Sequence, residues 1–254
     1  MDRWKGRVAL VTGASVGIGA AIVRKLVQHG MKVVGCARGV EKIQALADEL
    51  KDKDGTLLPI KCDLSNEEEI LSMFKTIKQT WGGVDVCINN AGLALNAPLL
   101  SGATEQWKTM LDVNIMGLCI CSREAFKSMR ERKVDDGHII LISSMGAYRL
   151  VPNTPQLHFY AATKFAVRGI LEGMRNECRA LESNIRVSAV SPGVVETEFA
   201  YRLHEGQEEK AKAIYSKAPV LQGEDIADAV IYALSAPPHV QVHDILLRPT
   251  SQVS

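Results

Sequence analysis

Tyr160 and Lys164 stand four residues apart in the stretch HFYAATKFAV. On a helix this spacing puts both side chains on one face, one turn apart. A phenol ordinarily ionises with a pKa of about 10, and a neighbouring ammonium favours the phenolate. A tyrosine tuned in this way can trade a proton with an alcohol or a carbonyl oxygen near neutral pH. The pair by itself is a common helical coincidence, so its meaning depends on the surrounding chain. Two other features bear on it. A glycine-rich segment, TGASVGIG at 12–19, follows the first apolar run, and Ser143 and Ser144 end the apolar run GHIILISS ahead of the tyrosine. A serine hydroxyl placed there could donate to the same oxygen that receives the tyrosine proton.

The glycine-rich segment suits a phosphate-bearing cofactor. Gly13 permits a tight turn, and Gly17 and Gly19 let backbone approach a diphosphate at a helix start. Their spacing, G-x-x-x-G-x-G, differs from the G-x-G-x-x-G dinucleotide fingerprint. The run MKVVGCA leads into Arg38, with no carboxylate at 36, 37 or 38 to accept from a ribose hydroxyl. A guanidinium can fork onto a 2′-phosphate, so the expected cofactor is NADP(H); the alternative is a solvated surface arginine. Asp63, followed by Leu64, could accept from an adenine amino group or cap the helix that opens at Asn66. In Asn89-Asn90-Ala91-Gly92 the small residues can let a cofactor pass, and Asn89 can brace its strand; the plainer reading is a turn. Asn114 falls inside a helical pattern, where asparagine is intrinsically poor. It either tolerates that place or uses its carbonyl to hold a water near Lys164.

These residues need a scaffold, and the sequence pattern supplies one. Short apolar runs read as strands at 7–12, 31–37, 56–62, 84–90, 137–144, 185–192 and 243–248. Helical segments follow at 17–30, 41–51, 66–81, 104–132, 159–181 and 224–234, with a polar helical excursion over 200–217. Strands of this kind, each followed by a helix, predict an α/β fold: a Rossmann-like, doubly wound, parallel seven-stranded sheet with helices on both faces. No linker divides residues 1–254, which predicts a single dinucleotide-binding and catalytic domain. Ligands of such sheets bind beyond the carboxyl ends of the strands, and every motif above lies just after a strand. With 30 basic and 29 acidic residues, an extended nucleic-acid or anionic-membrane surface is not expected. The six cysteines are scattered without a C-x-x-C pair, so they read as reduced core residues, not as disulfides or metal ligands. The opening apolar run is too short for a signal peptide, and no run is long enough to span a bilayer. A cytoplasmic location is the expectation.

Taken together, TGASVGIG at 12–19, NNAG at 89–92, Asn114, the serines at 143–144, YAATK at 160–164 and PGVVET at 192–197 resemble the short-chain dehydrogenase/reductase family, in its compact one-domain form. The matches span nearly the whole chain in the family's order. The resemblance implies a tetrad of Asn114, Ser144, Tyr160 and Lys164. It implies cofactor contacts from Gly13, Ser15, Gly17, Ile18, Gly19, Arg38, Asp63, Leu64, Asn90, Ala91 and Gly92, and from Tyr160 and Lys164. Pro192, Gly193, Val195 and Thr197 would hold the nicotinamide end. Other stretches look most like animal NADP-dependent carbonyl and ketosteroid reductases and insect farnesol dehydrogenases. Two features depart from the family pattern: the interval from Ser144 to Tyr160 is longer than usual, and Ala147 stands where a glycine is usual.

The implied reaction is hydride transfer between the nicotinamide and a carbonyl carbon, with Tyr160 as general acid or base. Leu93, Leu95, Met145, Tyr148, Leu150, Leu157, Phe199 and Leu203 are expected around the substrate, with His158 and His204 nearby. They suit a small lipophilic carbonyl or alcohol, such as a ketosteroid or an isoprenoid. The surplus apolar positions on the helices at 104–132 and 159–181 suggest a homodimer or homotetramer. A competing reading is a catalytically idle NADP(H)-binding sensor or interaction protein, since fold does not imply function.

Overall fold

Strand β1 (Val8–Thr12) is buried along its whole length, and its side chains divide by parity. Ala9 and Val11 enter one hydrophobic core; Val8 and Leu10 enter another on the opposite face. That division is what a strand covered on both sides requires. In the computed structural model, which describes residues 1–203, 209, 215, 216 and 219–252 (the Arg202 side chain excepted), six further strands join it. They are β2 (Lys32–Ala37), β3 (Thr56–Lys61), β4 (Val86–Asn89), β5 (His138–Ile142), β6 (Arg186–Pro192) and β7 (Asp244–Leu247). All neighbours pair in parallel, in the order β3-β2-β1-β4-β5-β6-β7. The order reverses between β1 and β4, which opens a crevice at their carboxyl ends.

Helices α1 (Gly17–Gln28) and α2 (Glu41–Glu49) cover one face with the late helix Gly223–Ser235, here α8. Helices α3 (Glu67–Trp81), α5 (Leu118–Glu131) and α6 (His158–Ala180) cover the other. Helix α3 starts where Asn66 accepts from the N–H groups of Glu68 and Glu69, at 3.0 and 3.3 Å, and stops at the left-handed Gly82. Helix α7 (Glu198–Leu203) begins the excursion expected over 200–217; most of the rest of that expectation lies outside the described residues.

The helix expected over 104–132 is not continuous. It forms α4 (Thr104–Leu111), a π turn at Asp112–Gly117, and α5. Gly117 belongs to that turn because the backbone there passes close under the β3–α3 loop. A β-carbon at 117 would lie 2.6 Å from the Leu64 carbonyl oxygen. A π turn inserts an extra residue and re-aims the side chains on it, and the side chain it re-aims is Asn114. Among the described residues, no helix is long and apolar enough to cross a membrane. All six cysteines are free, five of them buried.

Candidate active site

A cleft of about 500 Å³ opens over the carboxyl ends of the central strands. Its floor is stitched by Thr12, whose hydroxyl oxygen accepts from the N–H groups of Asn90 and Ala91, both at 3.0 Å. The Asn90 amide donates back to the Thr12 and Gly13 carbonyls, at 2.9 and 3.1 Å. The ends of β1 and β4 are therefore held in one piece. Gly13 and Gly17 adopt φ of +64° and +54°, and a β-carbon at Gly19 would be driven into the Gly13 carbonyl. These glycines leave backbone bare at the start of α1, where N–H groups favour an anion. Asn89 donates to Ser122 at 2.9 Å and so ties β4 to α5.

The structure brings Gly13, Ser15, Gly17, Ile18, Gly19, Arg38, Asp63, Leu64, Asn90, Ala91, Gly92, Tyr160, Lys164 and Thr197 around this cleft. Pro192, Gly193 and Val195 instead line an adjoining cavity of about 240 Å³. Arg38 stands exposed at the end of β2 and forms no ion pair among the described residues. Asp63 does not cap α3, since Asn66 does so. It closes a local turn by accepting from the Ser65 N–H and hydroxyl at 2.9 and 2.8 Å. Burial pushes the Asp63 carboxyl up, but those bonds and the charge of Arg38 bring it below the ordinary range.

Ser143, Tyr160, Thr197, Ile18 and Phe199 line both spaces. Ser144 lines the smaller cavity, its hydroxyl oxygen accepts from the Gly146 N–H at 3.0 Å, and its presence favours the ionised Tyr160 phenol. Ser143 is buried, and its hydroxyl has no partner among the described residues. Phe199 packs edge-on against Tyr160, with ring centroids 5.3 Å apart. Phe159 stacks on Trp107 at 5.4 Å and docks the start of α6 on α4.

Lys164 is 4% exposed and donates to the Ile142 carbonyl at 3.0 Å. Its nitrogen lies 5.7 Å from the centre of the Tyr160 ring. The expected acidification of the phenol is not produced by these groups. Burial pushes the phenol up to about 12, with the Ser144 side chain opposing it. Burial brings the lysine down to about 8. Part of the Tyr160 side chain is open to the cleft, yet the protein crowded around it still outweighs water in setting that direction. Asn114 is buried, and its carboxamide clamps Leu93: the oxygen accepts from the Leu93 N–H and the nitrogen donates to the Leu93 carbonyl, each at 2.9 Å. A β-carbon at Gly92 would lie 3.5 Å from the Asn114 oxygen and 3.6 Å from the Lys164 nitrogen. Asn114 and Lys164 thus converge behind Gly92.

Met145, Leu150, Leu157, His158, Phe199 and Leu203 line the smaller cavity as expected, whereas Leu93 faces the larger cleft. Leu95 lines neither. Tyr148 also turns away, because its hydroxyl finds the Asp244 carboxylate on β7, while Arg168 stacks on its ring at 4.2 Å. A phenol half out of water takes such a partner when one is in reach. His204 lies outside the described residues. Sequence reasoning missed Arg149, Val151, Thr154 and Gln252 as cavity residues. The first three sit in the long segment between Ser144 and Tyr160, and that length was the available signal. Gln252 meets Val194 across 58 residues, and nothing local marks it.

A family model described as short chain dehydrogenase matches residues 7–208. The chain is 61% identical over 256 residues to the chicken (Gallus gallus) dehydrogenase/reductase SDR family member 11, covering 100% of both chains. It is 45% identical over 254 residues to a farnesol dehydrogenase of the mosquito Aedes aegypti, covering 99% of each. Among solved structures, the closed form of a serine dehydrogenase complexed with NADP⁺ superposes with a TM-score of 0.88 at 32% identity, over 97% of this chain and 96% of that one.

Proposed function

The chain belongs to the short-chain dehydrogenase family, and on that premise we propose that it interconverts a carbonyl and an alcohol on a small lipophilic substrate, using NADP(H). The observation that carries this reading is the place of Tyr160, which lines both the glycine-rich cleft and the apolar cavity, with Ser144 in the wall of that cavity. The residues around the cleft fit a dinucleotide: bare backbone at the start of α1 for the diphosphate, and Arg38 for a 2′-phosphate. When bound, the cofactor supplies the hydride and, in its oxidised form, a positive ring charge. The chain's own residues handle the oxygen and its proton. Ser144 donates to the substrate oxygen as Tyr160 gives up or takes back the phenolic proton. Lys164 adds positive charge beneath the phenol and reaches the cofactor side of the cleft. Asn114 holds the Leu93 backbone and, with Lys164, gives a place behind Gly92 for a water that refills the proton. The farnesol dehydrogenase relative and the apolar walls support an isoprenoid or ketosteroid-sized substrate. One sheet spanning β1 to β7 supports the single-domain reading.

The test is NADPH oxidation followed at 340 nm over a panel of steroid, isoprenoid, quinone and short aldehyde carbonyls, repeated with NADH. Turnover with NADPH is expected to exceed that with NADH by about 10-fold to 100-fold in kcat/KM, as one charge-assisted phosphate contact implies. Arg38→Ala is expected to remove most of that difference. Equal use of both cofactors by the unmodified protein would dismiss Arg38 as the phosphate contact. Tight NADPH binding without turnover on any carbonyl would favour the idle-sensor reading.

The assembly reading joins this proposal. Leu111, Met116 and Phe165 are 42%, 53% and 42% exposed on α4, the π turn and α6. Tyr232 on α8 and Leu246 on β7 are 65% and 50% exposed. Large apolar side chains left in water on those elements support a homodimer or homotetramer. Light scattering is expected to return a multiple of 27.7 kDa; a monomer would overturn this.

A further inference from the structure

We propose that Asp244, on the last strand, is a positioning residue for the reaction: through the Tyr148 hydroxyl it fixes the turn that carries Ser144 in the cavity wall. This inference rests on the carbonyl-reducing reading above and names a residue that serves it from outside the site. Ser144 and Tyr160 line one cavity but come from separate segments, the loop after β5 and the first turn of α6. Ser144 opens a short 3₁₀ turn, Met145–Ala147. Its hydroxyl oxygen accepts from the Gly146 N–H. Its carbonyl accepts from the Ala147 N–H at 2.9 Å, and the Met145 carbonyl accepts from the Tyr148 N–H at 3.0 Å. These bonds lie within the turn, so they set its shape and not its place. A 3₁₀ turn this short has weak hydrogen-bond geometry of its own, and its place comes from ties to larger elements.

Ahead of the turn, the Ser143 N–H donates to the Val190 carbonyl on β6 at 2.8 Å. Behind it, the Tyr148 hydroxyl donates to the Asp244 carboxylate on β7. The other oxygen of that carboxylate accepts at 2.8 Å from the hydroxyl of Ser191, a fully buried residue of β6. Asp244 is thereby held in place itself, and a carboxylate acceptor gives a stronger bond than a neutral one. Arg168 adds a tie to α6, the helix that carries Tyr160. Its guanidinium lies 4.2 Å from the centre of the Tyr148 ring and donates to the Ala147 carbonyl at 3.3 Å. Arg168 is exposed to water and its bond is long, so the bond to Asp244 is the firmer tie. Neither Tyr148 nor Asp244 lines the cavity or the cleft. The turn is the route by which either can reach the reacting oxygen, and Ser144 is the polar side chain that this turn holds in the cavity wall.

Tyr148→Phe removes the hydroxyl and keeps the ring under Arg168. It is expected to lower kcat by about tenfold to a hundredfold, since a misplacement of about 1 Å costs a reacting group up to about 10²-fold, while NADPH binding changes little. Asp244→Ala should match it, and Asp244→Asn should recover part, because an amide can still pair with both hydroxyls. A double-mutant cycle with Ser144→Ala separates positioning from general stabilisation: in that background Tyr148→Phe should cost almost nothing further. Losses that multiply, or an unaltered kcat in either Tyr148→Phe or Ser144→Ala, overturn the proposal. A second measurement needs no turnover and so separates it from the reductase reading. Hydrogen exchange over residues 144–148, followed by mass spectrometry, is expected to quicken about tenfold or more in Tyr148→Phe while β5 stays protected. Unchanged exchange overturns the proposal even if reduction is rapid. Quickened exchange sustains the positioning of the turn even if no carbonyl is reduced, in which case the reductase reading alone has failed.

Discussion

Replacing Tyr160 by phenylalanine is expected to lower kcat by about 10²–10⁴-fold, the usual contribution of a positioned general acid or base, while NADPH binding changes little. The substitution removes one oxygen and keeps the ring. The edge-on contact with Phe199 survives it, as do the Lys164 bond to Ile142 and the Thr12–Asn90 stitching of the cleft floor. What is lost is the phenolic proton where the cleft meets the cavity. Stopped-flow turnover on any accepted carbonyl measures the first quantity, and quenching of protein fluorescence by NADPH measures the second. A variant with unaltered kcat would end the assignment of Tyr160. Lost cofactor binding would instead mean that the phenol mainly holds the cofactor. Ser144→Ala should produce the same kind of defect, because Ser144 favours the ionised phenol and lines the same cavity.

The sheet was legible because parallel strands buried on two faces leave a strong trace: short apolar runs separated by helix-length segments. Parity within β1 then divides two cores without further instruction. The glycine-rich turn was legible for a related reason, since positive φ and close backbone approach restrict the residue type at Gly13, Gly17 and Gly19. The π turn was not. Its cause is the passage of Gly117 under Leu64, a contact between segments far apart in sequence. Without it, Asn114 reads as a residue misplaced in a helix; with it, the carboxamide clamps both backbone groups of Leu93. Tyr148 failed for the same kind of reason. An aromatic residue beside a site reads as lining, but the acceptor that claims its hydroxyl, Asp244, comes from the other end of the chain. The smaller cavity was half legible: the loop before Tyr160 announced itself by its length, and Gln252 announced nothing.

Lys164→Met should abolish turnover and yet make the protein melt at a higher temperature at neutral pH. The lysine is almost entirely buried, and burial alone brings it from an ordinary 10.5 down to about 8. Its folded-state pKa is thus below its unfolded value, so between about pH 8 and 10.5 the unfolded chain holds a proton that the folded chain has released. Stability consequently rises with pH across that window. Below pH 8 both states are protonated and the folded state bears the whole cost of the buried charge, about 3 kcal/mol. The hydrogen bond to the Ile142 carbonyl offsets part of it, by about 1–2 kcal/mol. Methionine fills a similar space without charge, so a net gain of about 1–2 kcal/mol remains, or a few degrees in Tm for a chain of this size. The gain should shrink as both proteins are melted at successively higher pH, and vanish near pH 10. A Lys164→Met protein that melts lower at pH 7 would mean that the ammonium's hydrogen bond outweighs its burial. A gain independent of pH would mean that the charge was never its source. The expected pattern would show a fold carrying a destabilising cation beside the phenol that we propose loses and regains its proton.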